Sequence, residues 1–152
     1  MSSFTLIELL VVIAIIGIIG ATVVVLPPRL QQSASIDAST ENVVSALLEA
    51  RTKTLASKDD YAYGVHVETA KIVVFKGASY SSSSPDNEIT LLPADVSITA
   101  IALAGGGSDV LFNRLTGDTN QNGTITLRLV ADTAHGRVIS VTKTGLVYSE
   151  AL

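Results

Sequence analysis

Hydrophobic and polar positions divide the chain into three stretches with different patterns. Residues 9–26 form an unbroken apolar run without a charge or a proline. Residues 29–58 carry apolar side chains at helical spacing, and most of residues 59–152 alternate as β-strands do. This order predicts an α+β chain: a long amino-terminal helix, membrane-spanning in its first part, that continues into an antiparallel β-sheet head.

The apolar run is long enough to cross a bilayer. As a helix, residues 4–26 would extend about 34 Å, against about 30 Å for a hydrocarbon core. A buried helix of a soluble protein would be shorter. A cleaved secretory signal would have a shorter apolar core after a basic stretch, whereas the first basic residue here is Arg29. We therefore predict a single membrane span in residues 4–28. Within it, the candidate positions for a helix break are Gly17, Gly20, Pro27 and Pro28.

Glu8 is the one charged residue of this segment. An ionisable group in a membrane span is costly and indicates a functional role unless it lies at the level of the headgroups. No Lys or Arg lies within helical reach of Glu8. A cationic partner would therefore have to come from another chain or from a free amino terminus.

Residues 29–58 predict an amphipathic helix. Its polar first half suits a spacer between bilayer and head, and its second half suits packing on a sheet. Glu49 and Lys53 lie off the apolar face. The stripe predicted to be buried consists of Ile36, Thr40, Val43, Leu47, Ala50 and Thr54, widened by Val44, Leu48 and Leu55.

The β region, residues 59–152, predicts a head of short antiparallel strands with the helix on one sheet face. Hairpins are expected around Thr69-Ala70 and Thr144-Gly145, and the serine-rich residues 79–85 read as a loop. About seven short strands are predicted, at residues 62–68, 71–76, 88–92, 96–103, 124–130, 137–143 and 146–149.

Charge and composition exclude several classes of protein. The chain has 10 Lys and Arg against 14 Asp and Glu, a formal net charge of −4, and no basic block. A nucleic-acid partner is therefore not expected. The absence of cysteine excludes a disulfide scaffold, a zinc finger and a thiol nucleophile.

Residues Phe4–Ile18, FTLIELLVVIAIIGI, resemble the class III signal of type IV pilins and type II secretion pseudopilins. The resemblance implies that a prepilin peptidase removes a short leader, residues 1–3, by cutting between Ser3 and Phe4, and that the new amino group of Phe4 is methylated. It also implies that Glu8 pairs with the methylated amine of a neighbouring subunit during assembly. The chain has Ser3 where the family usually has glycine, and its leader carries no basic residue.

The same resemblance implies partners and a location. The partners would be other pilin or pseudopilin subunits, the peptidase, an inner-membrane assembly platform and the lipid bilayer. The subunit would first span the inner membrane once, with its amino terminus in the cytoplasm, and then enter a periplasmic or extracellular filament. The resemblance also implies that the helix unwinds locally in a filament, with the glycines and prolines named above as the candidate positions.

The head resembles the domain of pseudopilin H and of FimT/FimU-like minor pilins. The resemblance is carried by LLEARTKTLAS at residues 47–57 and by four later segments, Val110–Gly117, Gly123–Leu127, Arg137–Val141 and Thr144–Val147. It implies a minor subunit.

Few residues suggest chemistry of their own. Asp118, Asn120 and Asn122 match the first half of a calcium loop, but Leu129 stands where the closing acid belongs. The alternative is a hairpin loop with left-handed residues at Asn122-Gly123. The two histidines, His66 and His135, lack metal-ligand spacing and suit structural roles. No cofactor is required, and no constellation supports an enzyme.

The predicted function is a structural subunit of a type IV pilus or a type II secretion pseudopilus, favoured as a minor subunit. The alternatives are a major pilin that forms the bulk of a filament, and a single-pass membrane-anchored binding module linked to calcium. Secretion, pilus and DNA-uptake machines are all compatible with the sequence.

Overall fold

The computed structural model describes residues 5–22 and 28–152. These residues form two helices, α1 (Leu6–Thr22) and α2 (Pro28–Leu55), a 3₁₀ turn (Lys58–Asp60) and eight strands. The strands are β1 (Tyr63–Glu68), β2 (Lys71–Lys76), β3 (Glu88–Leu91), β4 (Val96–Leu103), β5 (Asp109–Leu111), β6 (Gly123–Leu129), β7 (Gly136–Val141) and β8 (Val147–Ala151). The chain divides into two units, one up to Gln31 and the other from Gln32 to Leu152.

The first unit contains α1. Every leucine, isoleucine and valine from Leu6 to Ile19 is exposed, with exposed fractions between 46% at Val12 and 82% at Leu6. Across residues 5–22 and 28–152, neither helix combines the length and the apolar character needed to cross a membrane. The span predicted from the sequence also includes residues 4 and 23–27, which lie outside the described residues.

Of the four predicted helix-break positions, two lie within α1, one begins α2 and one lies outside the described residues. Gly17 and Gly20 lie inside α1 and are helical, so neither interrupts the helix here. Pro28 is the first residue of α2, where its fixed φ and missing N–H are tolerated. Pro27 lies outside the described residues. The unwinding expected in a filament stays a prediction.

The second unit is the head. It contains two antiparallel four-stranded sheets, one in the order β3-β2-β1-β5 and the other in the order β4-β6-β7-β8. The predicted hairpins at Thr69-Ala70 and Thr144-Gly145 are confirmed, because β1 pairs with β2 and β7 with β8 across these turns. The division of the strands into two sheets was not predicted from the sequence. Local alternation predicts strands but does not say which strands pair.

The core lies between α2 and both sheets. All six residues of the predicted stripe of α2 are buried, from Ile36 to Thr54. Of the residues expected to widen it, Val44 is partly buried, whereas Leu48 and Leu55 are exposed. The largest fully buried side chains come from the strands, from Phe112 just after β5 and from Leu47 of α2: Phe75, Phe112, Leu47, Ile72, Ile125, Leu127 and Ile139.

Candidate functional site

The first turn of α1 is held by Thr5. Its carbonyl oxygen accepts hydrogen bonds from the backbone N–H groups of Glu8, at 3.1 Å, and of Leu9, at 3.3 Å. Its hydroxyl oxygen accepts a longer one from Glu8 N, at 3.4 Å. Thr5 is therefore the N-cap of α1 and places Glu8 at the third helical position, where the helix dipole favours a negative charge. The T-x-x-E spacing of Thr5 and Glu8 is the sequence signal for this cap, which was not predicted from the sequence.

Glu8 stands at the amino-terminal end of a surface that is otherwise apolar on all sides. None of the ion pairs found in residues 5–22 and 28–152 involves Glu8. Ser3 and Phe4 lie outside the described residues, so cleavage and methylation at these positions stay predictions. A helix that is apolar all round requires a lipid or protein environment that covers it.

In the head, Arg51 joins the carboxyl-terminal part of α2 to two loops. Its Nε donates to the carbonyl oxygen of Gly117 at 3.0 Å, and one terminal nitrogen donates to that of Thr144 at 3.4 Å. Gly145 lies so close that a Cβ there would be 2.0 Å from the carbonyl oxygen of Gly117. Three of the segments that carried the resemblance of the head, at the end of α2, at Gly117 and at Thr144-Gly145, therefore meet around one guanidinium group.

Thr54 connects the same end of α2 to β1. Its hydroxyl donates to the carbonyl oxygen of Ala50 at 2.8 Å and accepts the backbone N–H of Tyr63 at 2.9 Å. The residue is fully buried. Thr54 thereby satisfies the backbone donor at the start of the first strand, a role that its place in the apolar stripe did not predict.

The proposed calcium residues lie in the loop between β5 and β6. One carboxylate oxygen of Asp118 accepts hydrogen bonds from Thr116 Oγ1 at 2.5 Å and Asn113 Nδ2 at 2.8 Å. These donors, Thr116 first, lower the pKa of Asp118 below its usual range. The part of the chain described contains no cluster of three or more His, Cys, Asp or Glu suited to a metal ion. Asn120 and Asn122 are exposed.

The two histidines make local contacts. His66 lies on β1, with Nδ1 2.5 Å from Asp109 Oδ1 of β5, and its ring stacks on Tyr80 at 3.9 Å between centroids. His135 lies 2.7 Å from the carboxylate of Asp132 three residues earlier. Both arrangements fit the structural roles expected from the sequence.

The chain thus combines an apolar helix, capped by Thr5 and carrying one acid in its first turn, with a two-sheet head packed on a second helix. This is a pilin-like α+β fold. The family model for the prokaryotic N-terminal methylation motif matches residues 2–24. A comparison with the sequences of curated proteins yields no match.

Two solved proteins share the fold. One crystal form of the type IV minor pilin FimU of Pseudomonas aeruginosa superposes with a TM-score of 0.62 at 16% identity, covering 81% of this chain and 96% of FimU. A second form gives a TM-score of 0.58. The minor pseudopilin EpsH of the Vibrio cholerae type 2 secretion system gives a TM-score of 0.56 at 10% identity, covering 77% of this chain and 97% of EpsH. Motif and fold together confirm the predicted resemblance to type IV pilins and pseudopilins, with a head of the minor pilin kind.

Proposed function

We propose that this protein is a structural subunit of a type IV pilus or type II secretion pseudopilus, of the minor kind, without catalytic activity. The observation that carries the proposal is α1, whose apolar side chains are all exposed between Leu6 and Ile19 and whose first turn holds Glu8. The methylation motif and the minor pilin-like head support the same assignment.

Maturation is the first step of the proposed mechanism. Prepilin peptidase would cut between Ser3 and Phe4 and methylate the amino group of Phe4. Before assembly, residues 4–28 would anchor the subunit in the inner membrane with the amino terminus in the cytoplasm. Thr5 would then be the second residue of the mature chain, so that its cap begins the helix directly beside the new amino terminus.

Assembly would transfer the helix from lipid to a bundle of neighbouring helices on the inner-membrane platform. The apolar surface of α1 loses little in this exchange, since both environments are apolar, so close packing and polar pairing supply the specificity. Glu8 would pair with the methylated amine of the adjacent subunit. Removing one partner of such a buried pair typically costs about 3–5 kcal/mol.

The residue at which the mature chain begins shows whether the peptidase has processed it. Intact and peptide masses from native membranes and from sheared fibres should show a mature chain that begins at N-methylated Phe4. A chain beginning at Met1 or Ser2 would contradict the proposal and favour the membrane-anchored module that never polymerises. A minor subunit should be a trace component of the fibre fraction, whereas recovery as its bulk protein would indicate a major pilin.

Substitution of Glu8 tests the assembly step. Glu8→Gln keeps the size of the side chain and removes its charge, so it should greatly reduce incorporation into fibres while the protein still fractionates with membranes. Glu68→Gln, in the head, is the matched control and should assemble normally. Equal incorporation of Glu8→Gln and wild type would refute the proposed pairing.

A further inference from the structure

Strand β8 forms an open edge of the second sheet. Two hydrogen bonds show which residues of β7 and β8 bond to each other. Leu152 N donates to the carbonyl oxygen of Gly136, and Thr142 N donates to that of Leu146. The even-numbered residues of β8 therefore bond to β7, and the odd-numbered ones direct their backbone groups away from it. Three consecutive hydrogen-bonding positions, at Val147, Ser149 and Ala151, are thus presented outward.

Each of the other three sheet edges is partly occupied or shorter within residues 28–152. On β4, the N–H groups of Val96 and Ile98 donate to the carbonyl oxygens of Pro93 and Thr69, and a register shift follows. On β5, the N–H of Leu111 donates to the Gln121 side chain.

The remaining edge, β3, is tied to α2. Lys53 Nζ lies 2.6 Å from both Glu49 of α2 and Glu88 of β3. Only two residues of β3, Ile89 and Leu91, direct their backbone outward, and Pro93 follows. This edge offers a shorter and more enclosed template than β8.

A cleft runs between the open edge of β8 and helix α2. Ser149 and Ala151 line it from the strand, and Asp37, Thr40 and Glu41 line it from the helix. Arg137 neutralises Asp37, with two nitrogens 2.7 and 2.9 Å from the same carboxylate oxygen. Glu41 has no ion-pair partner among the described residues, so this end of the cleft carries an uncompensated negative charge.

Beyond the residues that line the cleft, the surface toward the β7–β8 turn becomes apolar. Helical periodicity places Val44 and Leu48 on the same side of α2 as Asp37 and Glu41. Further along this side, Arg51 reaches Thr144 in the β7–β8 turn, so Leu48 lies level with the beginning of β8. Leu48 is 42% exposed, and Val44 and Val147 are only partly buried.

We infer that the open edge of β8 binds an extended segment of another protein chain as a ninth strand, with a basic side chain beside Glu41 and an apolar side chain beside Leu48. Backbone pairing at Val147, Ser149 and Ala151 would supply affinity, and the alternate side chains that enter the cleft would supply specificity. The charge of Glu41 selects a Lys or Arg at the Ala151 end. This inference concerns the head alone and does not depend on assembly through α1.

The probe is the heptapeptide Thr-Lys-Thr-Ser-Thr-Ile-Thr-amide, which carries fluorescein on its amino terminus through a flexible linker. It is titrated against full-length protein in dodecyl maltoside micelles. Paired antiparallel to β8, it places lysine opposite Ala151, serine opposite Ser149 and isoleucine opposite Val147. Saturable binding, measured by anisotropy, is expected. No saturation up to about 1 mM protein would overturn the inference.

Two variants test the geometry. Ser149→Pro removes an outward N–H that the β7–β8 ladder does not use, and should raise the Kd about tenfold or more. Ser149→Ala keeps this N–H and should bind as wild type. Equal binding by all three proteins, with unchanged circular dichroism, would show that the backbone edge is not the site.

A third variant, at Glu41, tests the inference even if Ser149→Pro fails to fold. Glu41→Lys should weaken binding of the lysine peptide and strengthen binding of the same peptide with glutamate in place of lysine. If neither Glu41→Lys nor the glutamate peptide changes the Kd, the peptide binds elsewhere on the protein or to the micelle. That result would contradict the assigned orientation.

Discussion

Arg51 Nε lies 3.0 Å from the carbonyl oxygen of Gly117, a residue 66 positions further along the chain. The same guanidinium reaches the carbonyl oxygen of Thr144. One side chain on α2 therefore holds the loop before β6 and the turn before β8 against the helix end. A planar cation with several fixed donors suits two carbonyl groups at once.

Loss of this contact should destabilise the head. We expect Arg51→Ala to lower the free energy of unfolding by about 1.5–3 kcal/mol, the usual range for a hydrogen bond from a charged group. Arg51→Lys should recover part of this loss, because an ammonium group cannot reproduce the fork. Urea unfolding followed by circular dichroism measures the difference. Arg114→Ala, which removes an exposed pair with Asp60, should change stability by less than about 1 kcal/mol.

Gly145 should tolerate no side chain. Its φ is +76°, and a Cβ would meet the carbonyl oxygen of Gly117 at 2.0 Å and Arg51 Nε at 2.7 Å. Gly106 is a matched control, because its φ is +74° but nothing lies within 4 Å of a Cβ. Gly106→Ala should cost about 1–2 kcal/mol for the left-handed backbone alone. Gly145→Ala should cost about 1–3 kcal/mol more, and equal thermal stability of the two variants would contradict the close approach.

The Thr54 hydroxyl should matter more than that of Thr40. Thr54→Val leaves the buried N–H of Tyr63 without its acceptor, which should cost about 1–3 kcal/mol. Thr40→Val removes only a bond to the carbonyl oxygen of Ile36 within the helix, and should cost less. Chemical denaturation of both variants checks the order. A larger loss for Thr40→Val would show that the link to β1 contributes little.

Acid should destabilise the head through its paired carboxylates. The hydrogen bond from Lys76 lowers the pKa of Asp59, and the hydrogen bond from Lys53 lowers that of Glu88. Because the unfolded chain then binds protons more readily than the folded one, stability rises with pH through this range. The contribution is complete above the ordinary carboxyl pKa of about 4 and is lost as the pH falls through the lowered folded values. Melting temperatures from pH 7 to pH 3 should fall less steeply in Lys76→Met and Lys53→Met than in wild type.

Calcium should leave the melting temperature unchanged. Asp118 already accepts two hydrogen bonds from its own loop, and its neighbours Asn120 and Asn122 supply no further carboxylate. A site with a Kd of about 0.1 mM would add about 2 kcal/mol of stability at about 5 mM Ca²⁺. A clear increase with CaCl₂ that EDTA reverses and Asp118→Asn abolishes would instead establish the calcium-linked alternative.

The local pattern of residues in the sequence was enough to predict several elements of this protein. The apolar run with its single acid, the buried stripe of α2 and both terminal hairpins were predicted from spacing alone, because each depends on residues a few positions apart. The Thr5 cap is equally local, since its partners are three and four residues away. The processing motif at residues 2–24 is also a continuous stretch.

The tertiary structure decided what depends on distant partners. The head has two sheets because β1 pairs with β5 and β4 with β6, across long separations that alternation cannot encode. The partners of Arg51 and Thr54 and the open edge of β8 follow from this pairing. A side chain's type fixes which contacts it can make, whereas chain topology fixes which groups come within reach of it.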